Sequence, residues 1–293
     1  MTRRIDSHCH YWALQRGDYG WLTPAAHLAP IYRDFGAAEM RPLAEVAGIA
    51  RRILVQAAPT EAETQFLLDQ GRDDRAVAGV VGWVDLSSAE SVASLERFAS
   101  NPLFKGVRPM LQDLDDIDWI ATRPRPEAIA ALKRLRLRFD ALVMPQHLEA
   151  LRRFVEMTPG LPVVIDHAAK PAFTAPANDS RHAMWKLGMA QLSAYPHLCC
   201  KLSGLLTELP KELRTTPAAA AKALRPTVDS LLTWFTPDRL IWGSDWPVLT
   251  LAAPFAFWDE VTDRLLDGLG EPERAAILGG TAARFYGIEE GRA

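Results

Sequence analysis

Three short segments concentrate side chains that move protons and stabilise charge. Near the amino terminus the chain reads Asp6-Ser7-His8-Cys9-His10, in its middle Asp166-His167 followed by Lys170-Pro171, and near its end Ser244-Asp245-Trp246-Pro247. Imidazole titrates near neutral pH and a carboxylate accepts protons, so this set can supply a general base, a general acid and partners for a developing oxyanion. A lone His-x-His pair reads equally well as a polar strand end satisfied by backbone groups. Three such segments, each closing an apolar run, make coincidence the weaker reading.

The runs that position them are short and β-branched: around Ile5, Arg52 to Ala57, Ala76 to Leu86, Phe104 to Met110, Phe139 to Val143, Pro162 to Asp166, Leu198 to Leu202 and Leu240 to Gly243. Between them lie helical patterns at Glu61 to Gln70, Pro126 to Arg136, Gln146 to Met157, His182 to Tyr195, Ala218 to Phe235 and Phe255 to Leu266, with apolar residues at i, i+3 and i+4. Thr60 with Glu63 and Ser87 with Glu90 have the spacing of capping boxes that open helices after strands two and three. Eight strands alternating with helices predict an α/β fold of the (β/α)8 TIM-barrel type, in which reactive groups gather at the carboxyl ends of the strands. The period of two in a strand then puts Asp6, His8 and His10 on one face. Residues 1–293 read as a single barrel domain, with a long connection from Tyr11 to Gly36 after strand one and a helical extension at the carboxyl end.

Composition removes other classes. The 293 residues are 48% hydrophobic and 24% charged, with a formal net charge of -3 and no basic run, so nucleic acid is not expected as a partner. The longest apolar stretch, Val77 to Val84, is less than half of the ~20 residues that span a bilayer, so no membrane association is expected. Met-Thr-Arg-Arg-Ile-Asp at the start shows no leader pattern, and three cysteines form neither a disulfide framework nor a zinc-finger spacing. A reducing cytoplasm is the expected setting; oligomeric state is not readable. GxGxxG after strand one, a P-loop and a Gly-x-Ser-x-Gly elbow are all lacking.

The motifs Asp6-Ser-His-Cys-His-Tyr-Trp12, Lys105-Gly-Val-Arg-Pro109, Asp166-His-Ala-Ala-Lys-Pro171, Lys201-Leu-Ser-Gly204 and Trp242-Gly-Ser-Asp-Trp-Pro247 resemble the landmarks of the amidohydrolase superfamily (amidohydrolase family 2), and Gly280-Thr-Ala-Ala-Arg-Phe-Tyr-Gly287 resembles its ending. The resemblance spans nearly the whole chain and is nearest to the branch that hydrolyses lactones. It implies opening of a small-molecule lactone, a sugar-derived 1,5- or 1,4-lactone with L-fucono-1,5-lactone as first choice, to the aldonic acid. Binuclear members bridge two metals with a Lys or Glu ending strand four and add a His ending strand five. Here Lys105 begins strand four, Arg108 and Met110 follow, strand five ends Ala141-Leu142-Val143-Met144, and His147 comes later. A single divalent metal such as zinc on His8, His10 and Asp245, with His167 nearby, fits the three N/O ligands of a catalytic zinc site. The lactonase branch equally allows a metal-free route, in which Asp245 is the base and His8, His10 and His167 polarise the carbonyl.

Around this cluster, Arg108 reads as a substrate-orienting fork or as half of a structural ion pair. Lys170 and Gln56 are substrate-binding candidates on the same terms, as is Asp85, whereas Lys201, mid-strand, reads as structural. Trp12 and Trp246, flanking His10 and Asp245, are expected as pocket walls; Trp119, Trp185, Trp234 and Trp258 are expected to pack the core. Alternatives are a lactonase for a muconolactone or pyrone dicarboxylate, a zinc-dependent decarboxylase of the same superfamily, and a sugar-acid binding protein on a disarmed barrel.

Overall fold

In the computed structural model, which describes residues 4–288, eight strands run β1 (Arg4–Cys9), β2 (Ile49–Val55), β3 (Val77–Gly82), β4 (Phe104–Val107), β5 (Arg138–Ala141), β6 (Val163–Ile165), β7 (Leu198–Leu202) and β8 (Leu240–Trp242). They form one parallel sheet in chain order. The seam between β8 and β1 is laced by a bridge between Cys9 and Trp246 and by backbone bonds of 2.7 Å from Asp245 N to His8 O and from His10 N to Trp246 O. Side chains tighten it: Ser7 Oγ donates to Trp242 O at 2.6 Å, and Asp6 accepts from Ser244 N and Oγ at 2.9 and 2.5 Å. The eight expected strands are all present. Most end earlier than their apolar runs, because the loops at the carboxyl ends, including Val84, Leu86, Leu142 and Val143, are buried as well.

Helices cover the outside: α1 (Ala37–Val46), α2 (Glu61–Asp73), α3 (Ser91–Ala99), α4 (Trp119–Thr122), α5 (Pro126–Arg134), α6 (Leu148–Met157), α7 (Ser180–Leu192), α8 (Leu205–Glu208), α9 (Pro217–Phe235), α10 (Phe255–Leu265), α11 (Glu271–Ala275) and α12 (Thr281–Tyr286). Thr60 caps α2 as its spacing predicts, accepting from Glu63 N at 3.0 Å. Ser87 caps nothing, since its hydroxyl donates to Asp85 at 2.6 Å and α3 begins only at Ser91. In α6, Leu148, Leu151, Phe154 and Val155 are buried, the stripe a helix needs to pack against the sheet.

Inside the barrel a separate apolar cluster of Ile5, Ile53, Val55, Val81, Val164 and Ile241 meets Phe285 and Tyr286 of α12. Arg138, the first residue of β5, donates to Phe285 O, so α12 closes the end of the barrel where the strands begin. The Tyr11 to Gly36 connection folds back through a two-way backbone pairing of Trp12 with Phe35, both bonds 3.0 Å. Among the described residues no helix is long and apolar enough to cross a membrane. The ends of the expected domain, 1–3 and 289–293, lie outside the described residues.

Candidate active site

The three segments converge at the carboxyl end of the barrel. Asp245 Oδ1 lies 3.2 Å from His10 Nε2, 3.8 Å from His8 Nε2 and 3.9 Å from His167 Nε2, and all four residues are buried. The backbone bends sharply to achieve this. Asp245 has φ 60°, and His167, Ala168, Ala169 and Lys170 follow one another at φ 52°, 49°, 57° and 48°. Left-handed non-glycine residues cost on the order of 1–3 kcal/mol each, so the surrounding packing must hold them. Gly204 backs the His167 ring so closely that a Cβ there would lie 2.5 Å from Nδ1, a space only glycine leaves open.

Each imidazole has its far side tied. His10 Nδ1 donates to Val55 O at 2.7 Å, which leaves Nε2 facing Asp245 Oδ1 at 3.2 Å. His167 Nδ1 meets Ser203 Oγ at 2.9 Å. His8 Nδ1 faces Lys201 Nζ at 3.1 Å and Asp166 Oδ1 at 3.4 Å, while its Nε2 faces Arg108 Nη1 at 3.3 Å. Burial, with the Lys201 ammonium second, holds His8 well below the usual imidazole range. Burial brings His167 down to about 4. For Asp245 burial opposes ionisation, but the facing imidazoles of His167, His10 and His8 outweigh it and hold the carboxyl below its ordinary value. Near neutral pH the cluster is thus a carboxylate against neutral His8 and His167.

The cavity above them measures about 210 Å³ and is lined by Asp245, His10, His167, Arg108, Lys170 and Trp21, among others. Arg108 is held by a mutual clasp: Gln56 Nε2 donates to Arg108 O at 2.6 Å and Arg108 Nη2 donates to Gln56 O. Gln56, fully buried, therefore positions Arg108 and does not line the cavity. Lys170 Nζ lies 3.6 Å from Glu208 Oε1.

Two further expectations need correction. Trp12 and Trp246 are not cavity walls. Trp12 stacks behind His10 and donates through Nε1 to Arg33 O at 2.7 Å, and Trp246 packs edge-on against Tyr11 and Phe35. Trp21 takes the place, anchored by Nε1 to Ala57 O at 2.7 Å. The trio drawn to metal-ligand spacing is also different: donor atoms of His8, His167 and Asp245 lie within 4.8 Å of one another, and His10 stands outside that trio. Two imidazoles and a carboxylate remain the donor set of a catalytic zinc site, so the residues fit one divalent ion.

Beneath His8 lies a network of which only Lys201, expected to be structural, is marked in the sequence. Lys201 is completely buried, with Nζ 2.5 Å from Asp140 Oδ2 and 3.0 Å from Asp166 Oδ1, and Tyr286 donates to Asp140 at 2.7 Å. Burial raises Asp140 to about 6, with Lys201 pulling the other way. A charge flanked by apolar strand residues, as in Phe139-Asp140-Ala141 and Cys200-Lys201-Leu202, is the available signal, since such a charge must find a partner when buried.

Residues 5–288 match the amidohydrolase family. This chain belongs to that family. As an amidohydrolase it is 43% identical to an L-fucono-1,5-lactonase of Burkholderia ambifaria over 99% of its own length and 97% of that protein's. It is 34% identical to an L-fucono-1,5-lactonase of Burkholderia multivorans, over 98% of this chain and 97% of that one. A crystal structure of an amidohydrolase from Burkholderia multivorans with bound zinc superposes with a TM-score of 0.88 at 34% identity, covering 98% of this chain and 100% of that one.

Proposed function

We propose that this amidohydrolase opens a neutral sugar lactone, with L-fucono-1,5-lactone as first choice, to the aldonate. The observation that carries the reaction class is Asp245 set 3.2–3.9 Å from three imidazoles, with Arg108 lining the same cavity of about 210 Å³. The sugar preference rests on similarity to the two Burkholderia lactonases. Substrates bearing carboxylates, such as muconolactones or pyrone dicarboxylates, would want several unpaired cations, whereas Lys170 is already shared with Glu208. Three unpaired, buried cysteines suit a reducing cytoplasm.

Asp245 takes a proton from water as its oxygen attacks the lactone carbonyl carbon. Arg108 and the imidazoles of His10 and His167 face the oxyanion that develops. Collapse breaks the bond from the carbonyl carbon to the ring oxygen, and Asp245 returns its proton to that oxygen, which leaves as a hydroxyl. The carboxylic acid then ionises, so each turnover releases one proton. His8, His167 and Asp245, with His10 beside them, would hold a divalent ion such as zinc, which when bound would polarise the carbonyl and lower the pKa of water.

A pH-indicator assay over aldonolactones and 2-pyrone-4,6-dicarboxylate, with and without chelator, tests the reading. Acid release from the sugar lactones and none from the dicarboxylate is expected. Silence across the aldonolactones would overturn it.

A further inference from the structure

Beside the catalytic cavity lies a wider one of about 540 Å³, and the two share Trp21 and Met110 as walls. We propose that this second cavity is a subsite for an uncharged sugar ring, so that the enzyme's substrate, or a second ligand, carries a neutral glycosyl group next to the lactone. The proposal rests on the reading that the smaller cavity takes the lactone ring.

The chemistry of the walls selects the ligand. Half-buried Trp83, just past β3, and Trp119, the first residue of α4, join Trp21 in presenting indole surface. Aromatic faces stack on the apolar faces of sugar rings. The Nε1 donors of Trp83 and Trp119 have no partner among the described residues, whereas that of Trp21 is used by Ala57 O. Asp18, Asp85 and Asp113 add acceptors on the same walls; Asp18 Oδ2 is already taken by Arg16 and Thr60 at 2.5 and 2.7 Å, and Asp85 is fixed by Ser87, whose N and Oγ donate to it at 2.9 and 2.6 Å. Free donors and acceptors together match hydroxyl groups, which do both; an organic ammonium would use the carboxylates and the indole faces but leave the indole N–H groups without an acceptor. An anionic ligand would meet carboxylates with no basic residue among the described lining residues. The contrast with the catalytic cavity, where Arg108 and Lys170 line the wall, assigns the reacting carbonyl to one chamber and a neutral polyol to the other.

The test uses full-length protein carrying 5-fluorotryptophan, with resonances assigned through Trp83→Phe and Trp119→Phe. It is titrated separately with methyl hexosides and 6-deoxyhexosides, with tetramethylammonium and with an aldonate. Saturable shifts of the Trp83 and Trp119 signals are expected with the neutral glycosides alone, and Trp119→Ala, verified as folded by circular dichroism, should weaken saturation at least tenfold. No shift, or an equal response to the ammonium or the aldonate, would overturn the subsite. Turnover of L-fucono-1,5-lactone by the same preparations separates the two claims. Hydrolysis without glycoside shifts removes only the subsite, and shifts without hydrolysis of any lactone remove the catalytic reading.

Discussion

The inside of the barrel is filled in two different ways along one axis. On the side facing α12, Ile5, Ile53, Val81, Val164 and Ile241 cluster with Phe285 and form an apolar plug. Where the strands end, the same width holds Lys201, Asp140, Asp166, His8 and Asp245, all buried. Tyr286 joins the two, its ring in the plug and its hydroxyl on Asp140. Of the seven non-glycine residues with positive φ among the described residues, five, His167 to Lys170 and Asp245, flank the charged end. Stability is thus generated in one layer, and preorganised charge and backbone strain are held in the next.

The largest effect expected from breaking this division is on chemistry. Asp245→Asn should lower kcat by about 10²–10⁴-fold, the range spanned by a lost general base, and should also lower the thermal unfolding temperature, because a carboxyl held below its ordinary value stabilises the fold when ionised. Wild-type turnover in this variant would show that Asp245 is not the base. Lys201→Met comes next. It leaves Asp140 and Asp166 without their ammonium, and breaking a buried pair costs about 3–5 kcal/mol, read from urea unfolding. Ile241→Ala in the plug should cost a comparable 2–5 kcal/mol, about the range for core truncations, yet keep the KM and kcat of the folded enzyme. If both variants lose stability alone, the charged layer is merely structural.

A smaller change separates collision from backbone strain. Gly204 has φ +64° and Gly17 φ +72°, but a Cβ at Gly204 would strike His167 at 2.5 Å whereas at Gly17 it would meet nothing within 4 Å. Alanine at either site pays the same left-handed penalty, about 1 kcal/mol or slightly more. Only Gly204→Ala should also displace the imidazole and lower kcat/KM by about 10²-fold. Equal activities in the two variants would release His167 from any need for fixed placement.

Much of the charged layer was legible because it uses residue types that rarely end apolar strands without reason. His8, His10, His167 and Asp245 announced themselves in this way, and the strands did so through continuous apolar runs, as expected when both faces of a parallel sheet are covered. What escaped did so for geometric reasons. Asp140, unlike Lys201, drew no reading, because its partners come together only when the barrel closes and brings β5, β6 and β7 side by side. Trp246 reads as a wall from its adjacency to Asp245, but the left-handed backbone at Asp245, φ 60°, turns the chain there and the indole packs on Tyr11 and Phe35 instead. α1 left no clear mark: its N-cap, Gly36, has no side chain, and Pro42 interrupts its interior.

The smallest expected effect concerns a carboxyl beside the mouth that the catalytic cluster does not use. Glu63 of α2 is fully buried, accepting from Ala57 N at 3.0 Å and Tyr19 Oη at 2.8 Å, and so braces the Ala57 backbone that anchors Trp21. Burial raises its pKa from 4.5 to about 7, against these hydrogen bonds. A carboxyl raised in the folded state favours folding below its unfolded pKa and loses that contribution as pH rises through the folded value. Wild-type stability should therefore fall relative to Glu63→Gln between about pH 4.5 and 7, by on the order of 1–3 kcal/mol. The glutamine keeps both contacts, since the Tyr19 hydroxyl can turn and accept from the amide. Urea unfolding of the two proteins at pH 5 and pH 8 measures the difference. A gap that stays constant between those values would mean that Glu63 is ionised throughout, and that the buried anion is tolerated at the mouth even outside the catalytic cluster.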